Sequence, residues 1–375
     1  MKPYIFLRAL RHADHTVFCV QDGQKTYYDQ QFDHYVVYSS GQQVKRSVLE
    51  ELISGLNIKM APATFNYEIT NKSNKSELKQ KAVWTPCDPS FVDQLIGGWM
   101  KAKSKKKKKK EEDEDEDDNE SKDVLKRRSP LSISAMRPLH PLLGAVNYEK
   151  ITFDRSQNPE SNPVIVTMDN KRLSEKEIEE FLNNSNRTLP RHNWINNKKN
   201  DKGFGRASGL FIYDIAIDLR TLFSVSTNLH VPELTKEKID ELKNNGWVEN
   251  ENIFGKCLTL PKEQREKVIP ALAKALINWK ITSNQARTFS LMETLAIAIS
   301  DNANTLAGAI RAKLIDDGEK PKAKPIIDQT AGADLFVTLP CSGYVVTETE
   351  SASAIQEAEQ KLTDLMLAFD YEKQL

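Results

Sequence analysis

Net charge is what this 375-residue sequence lacks most plainly: Lys plus Arg total 53, and Asp plus Glu total 53. The balance excludes a protein that coats nucleic acid by overall positive charge. It does not exclude a local basic groove, because binding follows the local field. Cysteine is scarce too. Cys19, Cys87, Cys257 and Cys341 form no C-x-x-C pair, which argues against a zinc or dithiol redox centre and fits reduced, buried thiols. No apolar run reaches the length of a membrane span. The opening MKPYIFLRALRHADH is charged where the apolar part of a secretory signal would lie. The expectation is a cytoplasmic protein with no membrane partner. There is no G-x-x-x-x-G-K-S/T phosphate loop and no G-x-S-x-G elbow, so no cofactor and no catalytic residue are expected.

What is present suffices for a core: 39% of residues are hydrophobic, enough for one large domain with insertions or for two domains. PYIFLRALRHADHTVFCV reads as one or two strands. Asp22-Gly23 signals a turn. DHYVVYSSGQQVKRSVLEELISGL then reads as strand, tight loop and helix, with Val44, Val48, Leu49, Leu52 and Ile53 at helical spacing and Gly55 as the stop. Lys105–Lys110 is a lysine block and Glu111–Asp118 an acidic one. Neither can bury a core, so the tract reads as a disordered, solvated loop.

Order resumes at KRRSPLSISAMRPLHPLLG, where Leu131, Ile133 and Ala135 alternate with serines as in a half-buried strand. Residues 145–208 are polar and read as an excursion holding a short helix whose Ser174 and Glu177 fit a capping box. GLFIYDIAIDLRTLF is the strongest strand, with Phe211, Tyr213, Ile215 and Ile217 on one face and Asp214 and Asp218 on the mixed other face. PKEQREKVIPALAKALINWK reads as a helix with an apolar stripe and an internal Pro270. METLAIAIS reads as a strand, and SASAIQEAEQKLTDLMLAF as a closing helix. With the polar excursions removed, this order approaches the α+β, ferredoxin-like β-α-β-β-α-β plan, which is also an RNA-recognition plan.

Four segments, in order, resemble one family: YSSGQQVKRSVLEEL, RRSPLSISAMRP, GRASGLFIYDIAIDL and ITSNQARTFSLMETLAIAIS. They are similar to the guide-RNA-binding backbone subunit of type I, Cascade-like CRISPR effectors, in the repeat-associated RNA-recognition superfamily. The resemblance runs from about Tyr4 to Ser300. It implies a ferredoxin-like (RNA-recognition-like) palm with large finger and thumb insertions. Residues 1–56 would be the first half of the palm, 57–125 a finger-type insertion with a charged tract at 101–126, and 127–144 a strand returning to the palm. Residues 145–208 would be a thumb- or web-type excursion, 209–345 the second half of the palm, and 346–375 the C-terminal helix. The implied partners are a CRISPR guide RNA, target DNA through that guide, further copies of the chain and other Cascade subunits.

A guide-holding protein should grip phosphate and sugar and leave the bases free to pair. Ser39, Ser40, Gly41, Gln42 and Gln43 supply small or hydrogen-bonding groups at a helix start, where backbone N–H groups favour an anion. Lys45 and Arg46 add charge in the first turn, against the helix dipole, a cost an anionic partner would offset. Arg127 and Arg128, beside Ser129, and Arg137 after the strand are candidate phosphate ligands. Phe204 and Arg206 lie in KGFGRASG, read as a mobile tip whose aromatic ring could stack on bases. Ser283, Asn284, Gln285 and Arg287 fit a polar RNA-facing loop.

His12, Asp14 and His15 suggest a metal site only at first sight, because strand residues three apart face opposite sides. The enzymatic alternative is a type III-like backbone subunit that cleaves target RNA with a loop aspartate, for which Asp22, Asp29 or Asp33 would serve; such loop acids more often form turns. A general RNA-binding protein is the third reading.

Overall fold

A computed structural model describes residues 2–18, 24–72, 75–81, 83–101, 124–149, 152–153, 164–188, 192–193, 204–282, 288–316, 318 and 320–374. The expected Asp22-Gly23 turn and the lysine and acidic blocks lie outside them.

The first segment forms one long strand, β1 (Tyr4–Thr16), followed by the hairpin β2 (Thr26–Asp29) and β3 (His34–Val37) and then helix α1 (Gly41–Leu56). Gly55 does not stop α1. The helix continues to Leu56, and Asn57 caps it at φ 52°, a left-handed position that asparagine tolerates. The expected finger region holds the hairpin β4 (Tyr67–Lys72) and β5 (Lys75–Gln80), short helix α2 (Val92–Gly97), β6 (Trp99–Lys101) and β7 (Leu125–Arg127). β6 pairs with β7, Trp99 opposite Arg127, so the two ends of the charged tract are held side by side and Leu125 and Lys126 belong to a strand.

Short strands β8 (Leu131–Ile133) and β9 (Arg137–Pro138) lead to β10 (Gly144–Glu149). The excursion that follows contains β11 (Thr152–Phe153), β12 (Thr167–Met168), β13 (Lys171–Arg172), α3 (Glu175–Asn184) and β14 (His192–Asn193). The Ser174–Glu177 capping box is present. β15 (Phe204–Asp218) starts earlier than the sequence suggests, and its first six residues pair with β10. Phe204 and Gly205 therefore sit in a strand and not on a mobile tip. Gly209 explains the disguise: its φ is 135°, and a Cβ there would lie 2.1 Å from the carbonyl oxygen of Leu143. The glycine that looked like a loop residue permits two strands to approach.

The remaining elements are β16 (Ser224–Ser226), α4 (Lys236–Asn244), β17 (Val248–Asn252), β18 (Gly255–Thr259), α5 (Lys262–Asn278), β19 (Thr294–Ser300), α6 (Ala303–Ala309), β20 (Ile310–Ile315), β21 (Lys322–Ile327), β22 (Asp334–Thr338), β23 (Glu350–Ser351) and α7 (Ala354–Leu367). The protein is a mixed α/β structure with one large, mostly antiparallel sheet. β1 lies in its interior, antiparallel to β15 on one side and to β19 on the other. β8 and β9 add to the far edge of β15, and β22 to β19.

Alternation assigns the two faces of the sheet. Ile5, Leu7 and Ala9 of β1 and Phe211, Tyr213, Ile215 and Ile217 of β15 join the main core with residues of α1, α5 and α7. Leu10, Leu210 and Ile212 face a smaller second core with Leu306 of α6 and Val337. Cys87, Cys257 and Cys341 are buried free thiols. Among the described residues no helix is long and apolar enough to cross a membrane.

Candidate nucleic-acid interface

The anticipated site begins at the mouth of α1. Ser40 caps the helix, its hydroxyl accepting from the Gln43 backbone N–H at 3.4 Å. Gly41 is packed over the neighbouring strand, since a Cβ would stand 2.8 Å from the carbonyl oxygen of Ile133. The Gln43 side-chain amide donates to Ser47 Oγ at 3.4 Å, and Gln42 is exposed.

The structure buries Ser39, Arg127 and Arg206 and turns Lys45 inward, against the sequence expectation. Ser39 is fully buried, bridging to Met136 through both backbone groups (2.9 and 3.0 Å) and donating to the carbonyl of Phe18 at 3.3 Å. Lys45 is turned inward: Nζ donates to the carbonyl oxygen of Gly97. The reason is electrostatic. Its own helix start repels a cation, while the last carbonyls of α2 attract one. Burial, with Arg127 nearby, lowers the Lys45 pKa. Arg127 is 4% exposed, and its guanidinium donates to the carbonyls of Leu95, Thr221 (2.8 Å) and Ser224 (3.0 Å). Burial brings its pKa down to about 10, with Glu233 opposing that shift. Arg206 is 7% exposed, because β15 already includes it. These cations serve the fold, and the phosphate roles assigned to Ser39, Lys45, Arg127 and Arg206 are withdrawn.

Other predicted residues stay at the surface. Arg46 is exposed and holds Glu50 one turn on, Nε to Oε1 2.7 Å. Arg128 is exposed at a cavity of about 390 Å³ that Lys256 and Arg220 also line. There the Arg220 guanidinium lies between the rings of Tyr4 (4.7 Å) and Phe254 (5.0 Å), fixed by Asp218 at 2.7 and 2.8 Å. The backbone of Phe204 pairs with Glu149. Ser283, Asn284, Gln285 and Arg287 lie outside the described residues.

Arg137 is brought into a group that single-strand reasoning missed. Arg8 on β1 stands directly opposite Asp214 on β15 and grips it with two bonds, Nε–Oδ1 2.6 Å and Nη2–Oδ2 3.1 Å. Arg137 joins the same carboxylate, Nη2–Oδ2 3.3 Å, while Arg8 Nη1 also donates to the carbonyl of Ile310 at 3.0 Å. Two guanidinium groups on one carboxylate leave a net positive strip across β9, β15 and β1. Arg137 is 44% exposed, so its remaining fork is accessible to phosphate. The strip adjoins the mouth of α1, because Ser134 bonds Asp214 through N–H (2.9 Å to the carbonyl) and Oγ (2.8 Å from the amide), and Gly41 packs on Ile133 and Ser134. The available signal was phase: Arg8 and Asp214 both occupy the face opposite the main core, the face that carries the smaller second core. Register was needed to pair them.

The candidate acids of the cleavage reading are engaged in turns. Asp29 Oδ1 accepts from the Phe32 N–H at 2.9 Å, and Asp33, at φ 54°, accepts from the Tyr28 hydroxyl; Asp22 lies outside the described residues. His12 Nδ1 is 2.8 Å from Glu293 Oε1, and its ring stacks on Tyr344 at 4.1 Å. Among the described residues no group of three His, Cys, Asp or Glu side chains could hold a metal.

No family model matches the chain, and no curated protein matches it in sequence. Two solved structures share its outline. One is a chain of a "CRISPR RNA-guided surveillance complex, pre-nicking", 8% identical at a TM-score of 0.42, covering 96% of this chain and 89% of that one. The other is a chain of a "CRISPR RNA-guided surveillance complex", 10% identical at a TM-score of 0.35, covering 96% of this chain and 84% of that one. At such identities and scores the likeness is one of general outline alone.

Proposed function

We propose that this chain is an RNA-binding backbone subunit of a type I, Cascade-like complex. It oligomerises along a CRISPR guide and presents the guide for pairing with target DNA, without catalysing a reaction itself. The observation that carries the RNA-binding part is the Arg137–Asp214–Arg8 strip beside the start of α1. It offers planar, permanently charged donors suited to a sugar-phosphate chain. The family part is supported by the four sequence segments in their order. The ferredoxin-like palm is supported by the spatial order β8–β15–β1–β19, antiparallel at every step, with α1 and α5 contributing to one core. That is the arrangement a β-α-β-β-α-β chain adopts when its two halves interleave.

The test is the RNA that copurifies with the full chain from a host carrying a repeat array. Short RNAs sharing a repeat-derived handle are expected. Heterogeneous RNA would make it a general RNA-binding protein, and absence of RNA would sink the reading.

A further inference from the structure

The hairpin β20–β21 leaves the sheet where Arg8 holds the carbonyl of Ile310. Alternation separates its side chains into two faces. Ala312, Leu314 and Pro325 share one face. Arg311, Lys313, Lys322 and Lys324 share the other, with Ile315 and Ile326. Ile310 is fully buried at the base, whereas Lys313, Lys322 and Lys324 are exposed. The hairpin is thus rooted by apolar contact and displays cations.

Lys313 and Lys324 are direct cross-strand partners. Like charges so placed, with Cβ atoms about 5 Å apart, weaken a strand pair. Among the described residues neither ammonium group has a hydrogen-bond or ion-pair partner. Arg311 is oriented at the base by Asp328, Nη1–Oδ2 2.9 Å. An anion between the two lysines would remove their repulsion. Alternate residues of a strand recur about every 6.7 Å, so Arg311 and Lys322, both already engaged, flank the Lys313–Lys324 pair at a spacing matched to a polyanion more than to a single phosphate. It carries no Asn, Gln or aromatic side chain to read a base edge. Asp316 follows at the tip, which favours a strand lying across the face over one meeting its end.

We infer that this face is a sequence-independent rail for a phosphodiester backbone, extending the Arg137–Arg8 strip outward. It rests on the RNA-binding reading for the course of the strand and on its own lysines for the chemistry.

The experiment measures affinity against salt for the full chain with three probes: a mixed-sequence RNA, single-stranded DNA of the same sequence, and the corresponding duplex DNA. Lys313→Ala with Lys324→Ala should reduce the salt slope by about 1.4 on a single strand or about 1.8 on duplex. Lys313→Arg with Lys324→Arg should preserve it, and the probe with the larger loss identifies the bound strand. An unchanged slope on all three probes overturns the rail, and the RNA-binding reading survives if Arg137→Ala still lowers the RNA slope. A lowered slope with Arg137→Ala inert leaves the rail standing and removes the strip. Failure of every probe to bind at low salt overturns both.

Discussion

Arg11 lies under the indole of Trp279, its guanidinium carbon 4.2 Å from the ring centre and its Nη1 2.7 Å from the same residue's carbonyl oxygen. Tyr213 flanks the guanidinium at 5.0 Å, and burial lowers the Arg11 pKa. A charge with π faces and carbonyls in place of a counter-ion ties β1 to the end of α5. Arg11→Ala should destabilise the fold by about 3 to 5 kcal/mol, from the cavity and the orphaned carbonyls of Trp279 and of Ile277, the acceptor of Nη2. Urea unfolding checks this, and a loss below about 1 kcal/mol would mean the carbonyls find water.

Lys45 and Arg46 are neighbours with opposite duties. Lys45→Ala removes the bond to Gly97 and should lower stability by about 1 to 2 kcal/mol while leaving the salt dependence of RNA binding unchanged. Arg46→Ala should leave the unfolding midpoint in place and flatten the salt slope by about 0.7. The reverse pattern would return Lys45 to the interface.

On the proposed RNA-binding reading, Asp214 would compete with phosphate for Arg8 and Arg137. Asp214→Asn should tighten RNA binding at low salt, and Arg137→Ala should weaken it with a slope loss of about 0.7. Filter binding across a salt series decides, and weaker binding by Asp214→Asn would show that the carboxylate positions the guanidinium groups and does not compete with RNA for them.

Lys280 sets a pH dependence. Burial and the nearby Arg11 charge bring its pKa down to about 8, while Nζ donates to the carbonyls of Leu291 (2.5 Å) and Met292 (2.9 Å). The unfolded chain, with a lysine pKa of about 10.4, binds more protons than the folded one between those values. Stability from this residue therefore rises as pH climbs from about 8 towards 10.4. Lys280→Met should flatten that rise relative to the wild type in unfolding midpoints taken across the window.

Gly209→Ala should cost about 2 to 4 kcal/mol, through its backbone conformation and the clash with Leu143. A neutral effect by thermal melting would show that the β10–β15 ladder can shift.

The elements that the sequence revealed are those with a strong period. Val44, Val48 and Leu52 fell on a buried helical stripe, and Phe211, Tyr213, Ile215 and Ile217 on a buried strand face, as alternation requires. The Ser174–Glu177 box is local chemistry and was equally legible. Side-chain direction was not. Nothing around Lys45 or Arg127 reveals that Gly97, Leu95 and Thr221 will present carbonyls to them, because those acceptors arrive from distant segments. Phe204 reads as a loop residue because glycines at 203, 205 and 209 imitate a loop, although at Gly209 the glycine permits crowded strands.

The place of β1 has a consequence for synthesis. Its two hydrogen-bonding edges are filled by segments made much later, Tyr4 meeting Asp218 and Phe6 meeting Ser300. At roughly 5 to 20 residues per second, the first strand leaves the ribosome roughly fifteen seconds to a minute before its second neighbour exists. Throughout that interval an apolar ribbon is unsheltered, and a chaperone that holds nascent β1 should raise the yield of folded protein more than one acting after release.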